Sequence, residues 1–257
     1  MAVDSSPPAD PAESAATYFI SDLHLRESQP HLTAAFEHFL FNTAHDASAI
    51  YILGDFVDAW IGDDDNRAHT RHLRDLLAKR AGTGDHKTPI YFMHGNRDFL
   101  IGEAFANAAG MRLLGETEII DLYGTPTLLL HGDQLCSDDH DYQAFRKKVR
   151  DPQWQQKMLG YPLWLRKTIA AYLRYRSRKA HQSKTDEIMD ANDQTVSEYF
   201  ERYNITTMIH GHTHRPGRHE YQVNGNKCER IVLGDWGKTG WLLRCTETSQ
   251  DLIEFDL

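Results

Sequence analysis

The stretch Thr206-Thr-Met-Ile-His-Gly-His-Thr-His214 runs from a short apolar, β-branched segment into Gly211-His212-Thr-His214. The apolar part is too short for a helix and ends at glycine, so it reads as a buried strand. The same arrangement recurs along the chain. Tyr18-Phe-Ile20 precedes Asp22-Leu-His24, and Ala49-Ile-Tyr-Ile-Leu53 precedes Gly54-Asp55. Pro89-Ile-Tyr-Phe-Met93 precedes Gly95-Asn96-Arg97-Asp98, and Thr127-Leu-Leu-Leu130 precedes His131-Gly132-Asp133. Each motif therefore sits at the C-terminal end of a strand, the edge where layered α/β proteins assemble sites from segments far apart in sequence.

Carboxylate, imidazole and amide oxygen donors without a thiolate suit Mn²⁺, Fe²⁺ or Zn²⁺ better than a structural cysteine-rich zinc site. Asp22/His24 and His212/His214 are each two apart, a spacing that puts both members on one side of an extended chain. Two-metal hydrolases hold their ions about 3.5–4 Å apart around a shared water, which requires a bridging carboxylate. Asp55, alone after its strand, is the candidate bridge.

Between the strands, His31 to Ala44 places Leu32, Ala35, Phe36, Phe39 and Leu40 at helical spacing, and Arg67 to Arg80 does so with Leu73, Leu76 and Leu77. After Arg218 the pattern changes to hairpin strands, Glu220 to Val223, Glu229 to Leu233 and Gly240 to Cys245, with Asn224-Gly225 as a turn. The expected fold is α/β: a mixed two-sheet sandwich flanked by helices, carrying a helical insertion at about 140–190. A chain of 257 residues fits one such domain, here 17–257. Residues 1–16 carry Pro7, Pro8 and Pro11 among Ser, Ala and Asp without a basic residue, and are expected to be a disordered leader rather than a signal peptide. No apolar run reaches the roughly 18–20 residues of a transmembrane helix. Cys136, Cys228 and Cys245 form no C-x-x-C pair, which fits buried small hydrophobes in a reducing compartment.

The net charge of −9 argues against a general nucleic-acid binder, but it conceals a segregation. Residues 146–184 hold 12 of the 28 Lys/Arg and a single acid, Asp151, for a net of +11 against −20 elsewhere. Trp154, Tyr161, Trp164, Tyr172 and Tyr175 interleave with these charges. A basic, aromatic helical segment suits an anionic membrane surface. Its plainer alternative is a helical hairpin packed on the main domain with solvated charges; tracking of nucleic-acid phosphates is a third reading.

The five motifs in this order resemble those of the calcineurin-like metallophosphoesterases over about residues 17–245. That resemblance implies two divalent ions, one held by Asp22, His24 and His214 and the other by Asn96, His131 and His212, with Asp55 shared. The longer motifs Gly54 to Asp64, His94 to Leu100, His131 to Asp139 with Tyr142 to Arg146, and Ile188 to Asn192 are similar to the UDP-2,3-diacylglucosamine diphosphatase family of the lipid A pathway. Membership would imply hydrolysis of a lipid-linked UDP-sugar, usually with Mn²⁺, on the cytoplasmic side of the inner membrane. It would assign substrate contacts to Asn96, Arg97, Asp139, Ser177, His181, Lys184 and His212. His181 stands where that family carries Asn, and an imidazole differs from an amide in shape and charge.

Arg97 follows Asn96 directly and suits bidentate phosphate binding; with Asp55 and His212 it completes the expected catalytic set. Asp98 and Asp133 are expected to orient the imidazoles, with turn capping as the alternative. Asp63, Asp64 and Asp65 lack the spacing of a Ca²⁺ loop and read as a solvated loop. His31, His38, His45, His69, His72 and His86 are expected at the surface. Taken together, these features point to a membrane-peripheral pyrophosphatase acting on a lipid-linked nucleotide. A metallophosphoesterase of soluble nucleotides or nucleic acid and a silent binding scaffold are the alternatives, the latter disfavoured because all the ligand types are present.

Overall fold

A computed structural model describes residues 15–82, 87–183 and 188–257, without the side chains of 178 and 180–183. Two mixed sheets face each other. The first takes β1 (Ala16–Ile20), β2 (Ala47–Ile52), β3 (Ile90–Phe92), β4 (Met111–Leu113), β10 (Thr239–Cys245) and β11 (Gln250–Asp256), in the order β11-β10-β1-β2-β3-β4. The second takes β5 (Thr117–Leu122), β6 (Thr125–Leu130), β7 (Thr207–His210), β8 (Gly217–Val223) and β9 (Asn226–Val232), in the order β5-β6-β7-β9-β8. The expected α/β two-sheet class is thus what the chain adopts.

β1 is buried along its whole length because it is covered on both faces. Phe19, with Tyr51, Leu53 and Leu243, faces the second sheet and packs with Leu128, Met208 and Ile231. Tyr18, Ile20, Ile50, Ile52 and Phe92 face the other way. They pack beneath α1 (Pro30–His38) and α2 (Ala68–Ala81) through Phe36, Leu73 and Leu77. Val196 and Phe200 on α7 (Asp193–Tyr203) cover the outer face of the second sheet. α1 ends earlier than the spacing predicts, giving way to a π-helical turn over Phe39–Thr43.

The Asn224-Gly225 turn forms with positive φ at both residues, 51° and 80°. A second such turn, Tyr123-Gly124 at 52° and 85°, joins β5 to β6 and was not anticipated, because tyrosine carries no left-handed preference. β4, β5 and β11 were also missed; their mixed, charged sequences become strands through pairing with β3, β6 and β10. At the N-terminus β1 begins at Ala16, fully buried, one residue before the expected domain start; residues 1–14 of the expected leader lie outside the described residues. Cys136, Cys228 and Cys245 are all free and buried. Among the described residues no helix is long and apolar enough to cross a membrane.

The insertion is helical, as expected, running from α4 (His140–Val149) through α5 (Pro152–Leu159) to α6 (Leu163–Ser183). α3 is a short helix at Glu103–Ala108.

Candidate metal centre

The strands β1, β2, β3, β6 and β7 end at Ile20, Ile52, Phe92, Leu130 and His210, and all five motifs follow at one edge of the two sheets. The side chains do not converge by strand alternation, as the spacing suggested. Asp22, His24, Asp55, His212 and His214 lie beyond their strands with φ of 55°, 48°, 51°, 68° and 54°. Left-handed backbone costs an L-residue about 1–2 kcal/mol, and concentration of such strain at one place is characteristic of functional sites. The turns fit only because glycine flanks them. A Cβ on Gly95 would stand 2.2 Å from the Asp55 nitrogen, and one on Gly211 2.2 Å from Asp22 Oδ2.

Asp55 is buried, and its two oxygens divide the site. Oδ1 accepts the Arg97 N–H at 2.8 Å and lies 3.8 Å from His131 Nε2. Oδ2 lies 3.9 Å from His24 Nδ1 and 4.0 Å from Arg97 Nε. On the Oδ1 side, Asn96 Oδ1 is 3.1 Å from both His131 Nε2 and His212 Nδ1. On the other, His214 Nε2 is 3.3 Å from Asp22 Oδ1 and 3.4 Å from His24 Nε2. Asp22, His24 and His214 offer ligand atoms that all lie within 4.8 Å of one another, as do those of Asp22, Asp55 and His131. All seven residues expected to hold metal are therefore brought together.

The electrostatics suit cations. Asp22 and Asp55 are buried side by side, a costly arrangement without positive charge between them. Burial resists ionisation of Asp22, yet the hydrogen bond and charge of His214 hold it well below the usual carboxylate range. Burial also opposes charging of His214, but Asp22 outweighs it and raises the imidazole to about 9. Burial and then the neighbouring His131 lower His212 to about 4. His24 Nδ1 is buried without a hydrogen-bond partner among the described residues, and Asp22 Oδ1 faces only the His214 imidazole, 3.3 Å away. Orphaned donor atoms on oxygen and nitrogen, clustered around two carboxylates, fit divalent cations. His131 Nδ1 donates to the Leu53 carbonyl at 2.8 Å, which fixes the tautomer with Nε2 facing the site.

That bond decides between the two roles expected of Asp98: a backbone carbonyl rather than Asp98 orients His131, and turn capping is what Asp98 does. Asp98 instead accepts the N–H groups of Phe56 and Gly95, both at 2.7 Å, pinning two motif loops together. Burial and then Asp55 raise its pKa to about 7. Asp133 faces the insertion. The Asp63–Asp65 loop is not merely solvated either: Asp63 accepts from Trp60 Nε1, Gly102 N and Phe105 N, and Asp64 binds the buried Arg166. Asp65 pairs with Arg67 at 2.6 Å.

The remaining expected contacts lie on the insertion. Asp139 caps α4 by accepting the Tyr142 N–H at 3.0 Å. Ser177 is exposed on α6, one turn beyond Arg174, which reaches Asp58 at 3.1 Å and so sets that stretch beside the loop after Asp55. Lys184 and the His181 side chain lie outside the described residues. Sequence reasoning missed Tyr142, whose ring stacks on His212 at 5.7 Å, and the buried His210, which meets Arg230 at 3.3 Å. Tyr142 lay within a motif already singled out; His210 abuts one. Of the histidines expected at the surface, His69 is half-buried, and His86 is outside the described residues.

Two facing mixed sheets with a buried carboxylate-imidazole cluster at one edge define a metal-dependent phosphoesterase. The chain belongs to the calcineurin-like phosphoesterase family, whose model matches residues 16–216. Its curated relatives include the UDP-2,3-diacylglucosamine hydrolase of Cellvibrio japonicus (strain Ueda107), 48% identical over 241 residues and covering 94% of this chain and 99% of that one. The protein of the same name from Klebsiella pneumoniae is 47% identical over 240 residues, 93% of this chain and 99% of that one. That of Salmonella typhi is 46% identical over 242 residues, 94% and 100% of the respective chains.

Proposed function

We propose that this chain hydrolyses the pyrophosphate of UDP-2,3-diacylglucosamine, giving UMP and 2,3-diacylglucosamine 1-phosphate (lipid X) in lipid A biosynthesis. The observation that carries the reading is the Asp22/Asp55/His131 cluster lying under a helical insertion, in a chain similar over nearly its full length to hydrolases of that name. In this reading Asp22, His24 and His214 would hold one divalent ion, Mn²⁺ by preference, and Asn96, His131 and His212 would hold a second, with Asp55 available to both sides. Such ions supply Lewis acidity and a water acidified to near neutral pH. Asp55 is kept in place by the Arg97 N–H, which leaves one of its oxygens to each half of the site. Arg97, whose Nε has no hydrogen-bond partner among the described residues, offers its guanidinium to a phosphate oxygen as charge builds there. His212, held between Asn96 and Tyr142, borders the same phosphate.

The insertion supplies the lipid side, with Asp139, Ser177, His181 and Lys184 as its substrate contacts. Its aromatics divide: Trp154, Tyr161 and Ile169 pack on the core, while Trp164, Tyr172 and Tyr175 on α6 are 69%, 58% and 60% exposed. The exposed aromatics share a face with Lys167, Arg176 and Lys179. This face favours peripheral attachment to the cytoplasmic side of the inner membrane, with anionic lipid as its partner and no nucleic acid. Cleavage of UDP-2,3-diacylglucosamine is compared with that of UDP-N-acetylglucosamine, following products by phosphorus NMR. Each buried methylene contributes about 0.8 kcal/mol, so the acylated substrate is expected to react far faster. Comparable rates would overturn the lipid reading in favour of a soluble-nucleotide enzyme.

A further inference from the structure

The first insertion helix does more than lead to the lipid-facing arm. Asp133, two residues after His131 and fully buried, accepts Tyr142 Oη at 2.7 Å and Arg146 Nε at 2.9 Å on one oxygen. Gln143 Nε2 donates to the Asp133 carbonyl at 2.8 Å. These residues of α4 therefore grip the loop that carries His131. At the end of the same helix, Arg150 Nη2 donates to the Gly95 carbonyl at 2.9 Å and the His94 carbonyl at 3.2 Å, on the loop that carries Asn96. Glu116 lies between the two arginines, 3.2 Å from Arg146 and 3.5 Å from Arg150.

The two gripped loops leave different sheets, one after β3 and one after β6. Their ligand atoms must nonetheless be held 3.1 Å apart, Asn96 Oδ1 to His131 Nε2. A rigid helix clamped to both loops sets that spacing. Among the described residues the hydrogen bonds of Tyr142, Gln143, Arg146 and Arg150 run to the loops of His131 and Asn96 and not to Asp22, His24 or His214, so the clamp acts on one half of the centre. Burying the Asp133 carboxylate against the half-buried Arg146 is a costly device, and its geometry makes sense as fixing position rather than adding stability.

We propose that Arg146 and Arg150 are positioning residues for the Asn96/His131/His212 half of the metal centre, so that the first insertion helix sets the affinity of one ion and not the other. This rests on the metal reading above. The test is titration of metal-free protein with Mn²⁺, followed by calorimetry and by the paramagnetic signal of free Mn²⁺, with no turnover required. Wild type should bind two ions. Arg150→Met should weaken one step roughly 10–100-fold, the usual effect of losing such a support, and leave the other within about twofold. Arg150→Lys, which retains a donor for the carbonyls, should recover part of the loss. Combined with His131→Ala, Arg150→Met should add nothing; combined with His24→Ala, it should weaken the remaining ion by its full factor. Circular dichroism of each metal-free variant verifies folding, and Arg146→Lys serves in place of any Arg150 variant that fails to fold. Equal weakening of both ions, or unchanged binding, would overturn the proposal. Failure of wild type to bind two ions would instead overturn the metal reading itself.

Discussion

Asp22 Oδ2 accepts the backbone N–H of His212 at 2.8 Å, tying together residues 190 positions apart that follow strands of different sheets. The same carboxylate presents its other oxygen to His214. One side chain thus joins the two sheet edges and faces the site. The metal centre is a property of this junction, not of either sheet.

Asp55 is the group whose loss should be felt on both sides. Asp55→Ala is expected to reduce bound metal from two ions to fewer than one per chain and to lower turnover at least a hundredfold, a loss on the scale of removing a key electrostatic group. His214→Ala should remove one ion only. Elemental analysis with a diphosphatase assay checks both, and retention of two ions by the Asp55 variant would remove it as the bridge.

Gly95→Ala brings a methyl against the Asp55 backbone, which cannot swing away as a flexible side chain would. Destabilisation of about 1–3 kcal/mol is expected from such overpacking, together with loss of metal binding. Urea unfolding gives the first quantity and metal titration the second. Gly225→Ala meets open space but sits at φ 80°, so it should be destabilising without affecting metal affinity.

A pH-dependent contribution to stability comes from Asp46, remote from the site. It accepts Tyr18 Oη and Arg244 Nη2, both at 2.7 Å. Burial would raise its pKa, but the hydrogen bonds from Arg244 and Tyr18 outweigh it and hold the carboxyl below its ordinary value. A depressed folded pKa means stabilisation that is complete above the unfolded value, about 3.9, and lost as pH falls through the folded one. Asp46→Asn should therefore cost about 1–2 kcal/mol at pH 7, and the difference from wild type should shrink below about pH 4. Denaturant unfolding across pH reads this directly; a gap that widens on acidification would contradict the assignment.

Membrane attachment should depend on fewer charges than the composition suggests. Arg146, Arg150, Arg166 and Arg174 pair with Asp133, Glu116, Asp64 and Asp58; among the described side chains of α6, Lys167, Arg176 and Lys179 stay exposed. Changing those three to Gln should lower binding to anionic vesicles by about 1 kcal/mol each, and moderate salt should release wild type, since such charges are screened over about 8–10 Å. Trp164→Ala should weaken what salt leaves behind. Co-sedimentation across a salt series tests both, and equal binding to neutral and anionic vesicles would remove the electrostatic part.

Strand ends and candidate ligands were legible in the sequence because they are local: an apolar run and the residues after it occupy the same short segment, so chain order alone places His131 after β6 and His212 after β7. The Asn224-Gly225 turn was legible for the same reason. What escaped was whatever depends on a distant partner. Asp98 and Asp133 each sit two residues past a ligand and invite similar roles, but one pins backbone loops and the other grips α4. β11 becomes a strand by pairing with β10, not through a hydrophobic alternation of its own.

By itself, then, the sequence determined the ligand inventory, the order of the five ligand-bearing strands along the chain and the segregation of basic charge into 146–184, all of which are encoded in contiguous residues. Tertiary structure decided which arginines turn inward, Arg146 to the buried Asp133 and the buried Arg166 to Asp64, and which remain on the surface. It also decided how left-handed turns aim Asp22, His24, Asp55, His212 and His214 at one point. The physical reason is that a buried charge takes its position from its countercharge, and a strained backbone is tolerated only where packing around it leaves no alternative.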